Sequence, residues 1–291
     1  MIPAQFEYHA PSSVEEALQL LRMLPDAKLL AGGHSLLPLM KLRLVTPAHL
    51  IDLGGIDGLR GVRDHGTMLT IGALTTHWTI EASPEVRAKA PLLAEAAGSI
   101  GDVQVRNFGT IGGSLAHGDP AADYPAAVLA LECEIVAEGP GGRRTIRAEE
   151  FFTGVFQTAL RPDEILVEVR VPVPPPRTGG AYLSLPHPAS GFAVVGVAAL
   201  VTLDEQGACR AARVGVTGVG PAPYRARATE AMLAGKTLTD ELIAAAAEKA
   251  ADGVEVNGDL FASREYRAHL AGLYTKRALR AARGGVPDIS A

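Results

Sequence analysis

The chain has 291 residues and 47% hydrophobic content, enough for one large core or for two to three small domains. Its formal net charge is −5 and its pI is about 5.9, which excludes the basic footprint of a nucleic-acid binder. Cys133 and Cys209 stand far apart with no C-x-x-C pair, so a reduced, cytoplasmic protein is expected, and two thiols cannot hold an iron–sulfur cluster in the usual four-thiolate way.

Residues 13–24 (SVEEALQLLRML) read as an amphipathic helix capped by Ser12 or Ser13, with Val14, Ala17, Leu18, Leu21 and Leu24 at helical spacing. Lys28 to Ala31 reads as a short strand that includes Leu29 and Leu30 and enters a Gly-Gly turn. Leu36 to Leu44 reads as a short helix or turn interrupted by Pro38, and His49 to Leu53 as another strand. A small α/β lobe therefore ends near residue 55.

The second lobe spans 56–175. Leu59 to Arg63 and Thr67 to Ile71 flank an Asp64-His65-Gly66 turn, a hairpin signal. Helices are expected over Thr75 to Ala82, Glu85 to Ala97 and Pro125 to Leu131. A second hairpin crosses Gly139-Pro140-Gly141-Gly142, and a strand runs from Ile165 to Val173. Pro174-Pro175-Pro176 then removes three amide donors and marks the domain boundary.

The unit from 177 to 291 shows three strand patterns, Ala181 to Leu185, Phe192 to Leu203 and Ala208 to Thr217. Helices follow near Tyr224 to Leu233, Thr239 to Ala251 and Ser263 to Arg283. Strands followed by a helical cluster predict an α+β class. The longest apolar run, Phe192 to Leu203, is too short to span a bilayer. The first residues lack a charged segment followed by an apolar one, so no signal peptide is expected. The basic residues of the last helix, among them Arg264, Arg267, Lys276, Arg277, Arg280 and Arg283, read as a solvated face.

Two glycine-rich segments carry the chemistry. One is Ala31-Gly32-Gly33-His34-Ser35 and the other Thr110-Ile111-Gly112-Gly113-Ser114. Glycine reaches positive φ and has no side chain, so such turns aim several backbone N–H groups at one anion. Two of them, each followed by a hydroxyl side chain, point to a diphosphate held between two loops. A nucleophile elbow at Gly33-His34-Ser35 fails because position 37 is Leu. The chain has no G-x-G-x-x-G, no H-E-x-x-H, and Glu230 where a P-loop ending at Gly235-Lys236-Thr237 needs glycine.

The stretches AGGHSLLPLMKLRL, which includes Leu36, and TIGGSLAHGDPAADYPA resemble the two FAD signatures of the FAD-binding medium subunit of the molybdenum hydroxylases. In pattern they are most similar to those of aerobic carbon monoxide dehydrogenases. The resemblance runs from Phe6 to the last basic helix. It implies a two-lobed FAD-binding domain of the PCMH type, followed by a smaller α+β domain with a three-stranded sheet and a helical cluster.

The same resemblance implies that Leu29 to Leu36 and Thr110 to Ser114 hold the FAD diphosphate. It makes Asp123 an acceptor for the cofactor, Ile100 and Leu166 apolar neighbours of the flavin, and Phe192 an aromatic over the flavin face. Read alone, Asp123 is equally a helix N-cap, and Ile100 and Leu166 are equally plain core. Two positions depart from the family pattern: Ser184 stands where many members have lysine, and Phe192 where the carbon monoxide dehydrogenases have tyrosine.

The implied partners are a small subunit with two [2Fe–2S] clusters and a large molybdopterin subunit, in a dimer of heterotrimers, with an external electron acceptor. The implied activity is that of an oxidoreductase subunit that passes electrons, with no catalytic acid, base or metal ligand of its own. A free-standing FAD oxidase and a cofactor-free scaffold are the alternatives.

Overall fold

The computed structural model describes residues 1–286. Near the start of the chain, β1 (Glu7–His9), β2 (Ala27–Leu30) and β3 (His49–Asp52) form a parallel sheet in the order β1-β3-β2. Between β1 and β2 lies α1 (Val14–Met23), whose cap is Ser13: its hydroxyl accepts the Glu16 amide at 3.1 Å. A second helix, α2 (Leu36–Lys41), carries Pro38 in its first turn, where a missing N–H removes no helical bond.

The second lobe is built on β4 (Val62–Asp64), β5 (Met68–Gly72), β6 (Glu134–Gly139), β7 (Gly142–Arg147) and, after a small hairpin, β10 (Ile165–Pro172). These pair antiparallel in the order β4-β5-β10-β6-β7. The helices inserted before β6 are α3 (His77–Ala82), α4 (Pro84–Lys89), α5 (Pro91–Ser99), α6 (Val103–Phe108), α7 (Ile111–His117) and α8 (Tyr124–Ala130). Between β7 and β10 come α9 (Ala148–Phe151), β8 (Phe152–Gly154) and β9 (Gln157–Thr158).

The five-stranded sheet is buried on both faces. Val136, Ile165 and Val167 join Ala17, Leu18 and Ile51 of the first lobe in one core, while Ile135, Ala137, Val169 and Val171 belong to the core of the helical side. A bulge between Leu166 and Glu168 switches the parity of β10, which puts Leu166 on the same side as Val169. The single helix expected over 85–97 is two, because Pro91 offers no amide and pushes Ala90 out of helical geometry (φ −142°, ψ 57°).

In the last unit β11 (Thr178–Pro186), β12 (Ala193–Leu203), β13 (Cys209–Thr217) and β14 (Tyr224–Arg225) form an antiparallel sheet in chain order. The expected sheet thus gains a fourth strand. It takes the first two residues of the expected helix, which starts instead as α10 (Arg227–Leu233). The helices α11 (Asp240–Ala247) and α12 (Arg264–Gly284) follow. Residues 287–291 of the 177–291 unit lie outside the described residues.

All but the last residue of β12 are buried, since Val195, Val197, Ala199 and Val201 pack with α12 while Ala198 and Leu200 join the core of the second lobe. The basic helix is less solvated than its composition suggests. Arg267 is buried and donates to the carbonyls of Val194 and Gly218, and Arg280 and Arg283 both bond Asp240. An arginine reaches such carbonyls with an apolar stem that packs well, so charge alone does not place it in solvent.

Candidate cofactor site

The first glycine segment leaves the carboxyl end of β2 and enters α2. Gly33 sits at φ +79°, a left-handed conformation that favours glycine. The Gly33 and Ser35 carbonyls accept the Leu37 and Leu39 amides and so start the helix. The amides of Gly32, Gly33, His34 and Ser35 bond no protein acceptor among the described residues. The Ser35 hydroxyl does not cap the helix either. Consecutive unpaired amides at a half-exposed turn make an anion cradle.

The second segment is the start of a helix rather than a free turn. Thr110 is the N-cap of α7, its hydroxyl accepting the Gly113 amide at 3.1 Å. Its neighbours are also paired: Ile111 donates to Thr75, Gly112 to Ala73 and Ser114 to Thr110. The amides of Ile111, Gly112, Gly113 and Ser114 are therefore already used, which leaves that of Thr110 without a protein acceptor among the described residues. What it offers a diphosphate is the Ser114 hydroxyl, the local field of the first turn and room for a close approach.

The two segments touch. A Cβ on Gly32 would overlap the Phe108 carbonyl oxygen and lie 2.8 Å from the Gly109 Cα, and one on Gly113 would lie 3.4 Å from the Ala31 Cβ. The His34 ring meets Phe108 edge-on at 6.1 Å. Leu29, Leu30 and Leu36 flank the cradle half-buried.

Behind it, His77 is buried and donates its backbone amide to the Gly109 carbonyl, and its ring meets Tyr124 edge-on at 5.2 Å. Burial, with His34 and Arg106 nearby, lowers the His77 pKa to about 4. The imidazole is thus neutral at pH 7 and adds no charge behind the amides.

Tyr124 follows Asp123. Asp123 occupies the N-cap position of α8, yet its carboxylate caps nothing. It accepts instead a 2.6 Å hydrogen bond from the Tyr182 phenol, from the other domain. Burial raises its pKa to about 6, partly offset by that bond. The loop before it is tied to the same sheet, because the Thr217 hydroxyl donates to the Pro120 and Ala122 carbonyls and the Ala193 amide to Ala121. Asp119 forms a turn by accepting the Ala121 amide.

Phe192 and Ile100 are brought near each other. Gly191, at φ +75°, turns the β11–β12 loop, and a Cβ on Gly101 would lie 3.9 Å from the Gly191 Cα. The Phe192 carbonyl accepts the His187 amide, so Phe192 ends the loop instead of starting the strand, and the residue is 42% exposed. Ile100 is half-buried against the core of the second lobe. Leu166 is buried in that core, in the same cluster as Ile111 and Leu115. Sequence reasoning gave no role to Tyr182, His77 or Phe108. Their contacts to Asp123, Gly109 and Gly32 join residues without any local sequence signal.

A cradle of free amides, closed by a second glycine segment, is an arrangement that holds a phosphate-bearing ligand. Comparison with known proteins agrees. The family "FAD binding domain in molybdopterin dehydrogenase" matches residues 4–174, and "CO dehydrogenase flavoprotein C-terminal domain" matches residues 180–282. The carbon monoxide dehydrogenase medium chain of Hydrogenophaga pseudoflava is 47% identical over 283 residues, covering 97% of this chain and 98% of the relative. The 6-hydroxypseudooxynicotine dehydrogenase complex subunit alpha of Paenarthrobacter nicotinovorans is 39% identical over 280 residues, covering 96% and 95%. The structure of carbon monoxide dehydrogenase from Hydrogenophaga pseudoflava superposes with a TM-score of 0.95 at 48% identity, covering 99% of this chain and 100% of that one.

This chain belongs to the FAD-binding medium-subunit family of the carbon monoxide and xanthine dehydrogenases. It is an FAD-binding oxidoreductase subunit with the two-domain architecture of that family. No helix among the described residues is long and apolar enough to cross a membrane.

Proposed function

We propose that the chain is the electron-transfer subunit of a molybdenum hydroxylase complex. In this reading it stands between [2Fe–2S] clusters on a small partner subunit and an external acceptor, while a large molybdopterin subunit oxidises the substrate. The observation that carries the reading is the row of four unpaired amides from Gly32 to Ser35 against the second glycine segment. When bound, FAD supplies the redox chemistry.

The chain's own residues bind and orient. The amides of Gly32 to Ser35 hold the diphosphate without a basic side chain, with Leu29 to Ala31 and Leu36 shaping the cradle. Thr110 fixes α7, and Ile111 to Ser114 close the other side. Asp123 accepts from a ribityl or ribose hydroxyl, and Ile100, Leu166 and Phe192 provide the apolar environment of the ring system. No residue here acts on the organic substrate.

The domain limits proposed are 1–55, 56–175 and 177–291. The family pattern supports a dimer of heterotrimers. The two unpaired, buried cysteines suit a reducing, cytoplasmic setting. The substrate of the whole complex is not encoded in these residues, since relatives of this chain are named for substrates as different as carbon monoxide and a nicotine derivative.

The test is to purify the chain alone and with the products of neighbouring genes, then denature it and quantify released flavin. About one FAD per chain, with iron and molybdenum in the co-purified complex, is the expected result. A colourless chain that takes up no FAD even with its partners present would overturn the reading.

A further inference from the structure

A second cluster of ligand-type side chains lies at the other end of the first sheet. Glu7 and His9 are two residues apart on β1 and therefore project from the same face. His49 opens β3 directly opposite Glu7 in the parallel register. The His9 Nε2 and the His49 Nδ1 are 3.3 Å apart, and a Glu7 carboxylate oxygen lies 3.3 Å from that Nδ1 and 4.0 Å from that Nε2. All three ligand atoms fall within 4.8 Å of one another.

Hydrogen bonding alone serves this group poorly. A neutral His49 carries at most one proton on Nδ1, which can be given to Glu7 or to His9 but not fully to both. A divalent cation would satisfy all three lone pairs at once. Zinc–nitrogen and zinc–oxygen bonds of about 2.0–2.1 Å put neighbouring ligands of a tetrahedral ion about 3.3 Å apart, which two of the three separations match. Both histidines are half-buried and Glu7 is exposed, so the site has a wall of imidazoles and an entry path.

We propose that Glu7, His9 and His49 form a site for a divalent transition-metal ion of the zinc class, with its fourth position open to water. The ion would tie β1, an edge strand of only three residues, to the central strand β3. The cluster runs along β1 and reaches the amino end of β3, whereas the amide cradle follows the carboxyl end of β2. Metal binding and FAD binding are therefore separable.

The test uses the purified full chain, stripped with a chelator and titrated with Zn²⁺ in competition with a chromogenic chelator. One tight site per chain is expected. His49→Ala and His9→Ala should weaken it at least tenfold, with FAD content unchanged. Glu7→Gln, at an exposed position that leaves the fold intact, should also weaken it measurably. Absence of a tight site in the wild-type chain, or the same affinity in Glu7→Gln and either histidine variant as in wild type, would overturn the proposal.

Discussion

The phenol of Tyr182 donates a 2.6 Å hydrogen bond to the carboxylate of Asp123, two buried residues on different domains. The phenol has room because position 196, diagonal to Tyr182 on the next strand, is glycine, where a Cβ would overlap the hydroxyl. Burial raises the Asp123 pKa from 3.8 to about 6, even with this bond favouring the charged form.

The sign of the resulting pH dependence follows. An aspartate whose pKa is raised on folding stabilises the fold below its unfolded pKa, and that contribution is lost as pH rises through the folded value. Free of cofactor, the chain should lose about 2 kcal/mol of stability between pH 4 and 6 from this group. Asp123→Asn keeps an acceptor for Tyr182 and should flatten that profile, raising the melting temperature at pH 7. FAD affinity should respond in the opposite sense, weakening below about pH 6 in the wild type and being lower but flat in Asp123→Asn. Thermal scans and flavin titrations from pH 4.5 to 8 check both, and an unchanged FAD profile would remove Asp123 from the site.

Gly32 and Gly33 should fail for different reasons. A side chain at Gly32 meets backbone at Phe108 and Gly109, which cannot yield without parting the two glycine segments. Gly32→Ala should therefore purify with little or no FAD. Gly33→Ala places alanine at φ +79° and should cost about 1–2 kcal/mol, with weakened rather than abolished binding. Gly66 is the control: its φ is +83° but nothing lies within 4 Å of an added Cβ. Gly66→Ala should lose similar stability and keep its full complement of FAD, measured as flavin released per chain.

The elements that could be read from the sequence are those whose signals are local. Ser13 capping α1, the Asp64-His65-Gly66 hairpin and the glycine at position 33 each act within a few residues, and the structure places them as expected. Other features depend on the distant chain. Thr110 to Ser114 looks like a free turn until Ala73 and Thr75 are seen to take its amides. Asp123 looks like a helix cap until Tyr182 arrives from 59 residues away. Arg267 looks solvated until two carbonyls close over it.

Arg225 and Glu230 form a buried pair, with side chains 3% and 9% exposed and a closest approach of 2.6 Å. Arg225 also donates to the Leu129 carbonyl at the end of α8, so the pair joins the two domains. Glu230→Gln leaves the buried guanidinium with only its 3.4 Å contact to the Glu132 carboxylate and should cost about 2–4 kcal/mol, less than a fully unpaired buried charge. Replacing both residues with apolar ones of similar volume should cost much less. A double-mutant cycle read by chemical denaturation checks this, and additive losses would show that the pair does not act as a unit.

Phe192 follows Gly191 in the loop that approaches Gly101, and the residue is 42% exposed to solvent. If this ring covers one face of the flavin, it controls how closely an acceptor can come. Phe192→Ala should leave stability within about 0.5 kcal/mol, as expected for an exposed side chain, and should speed reoxidation of the reduced flavin by oxygen severalfold. Phe192→Tyr keeps the stacking surface and adds a hydroxyl at its edge, so its rate isolates the effect of that group. Stopped-flow reoxidation of the FAD-loaded variants distinguishes these cases. A Phe192→Ala rate equal to wild type would place the ring away from the acceptor's path.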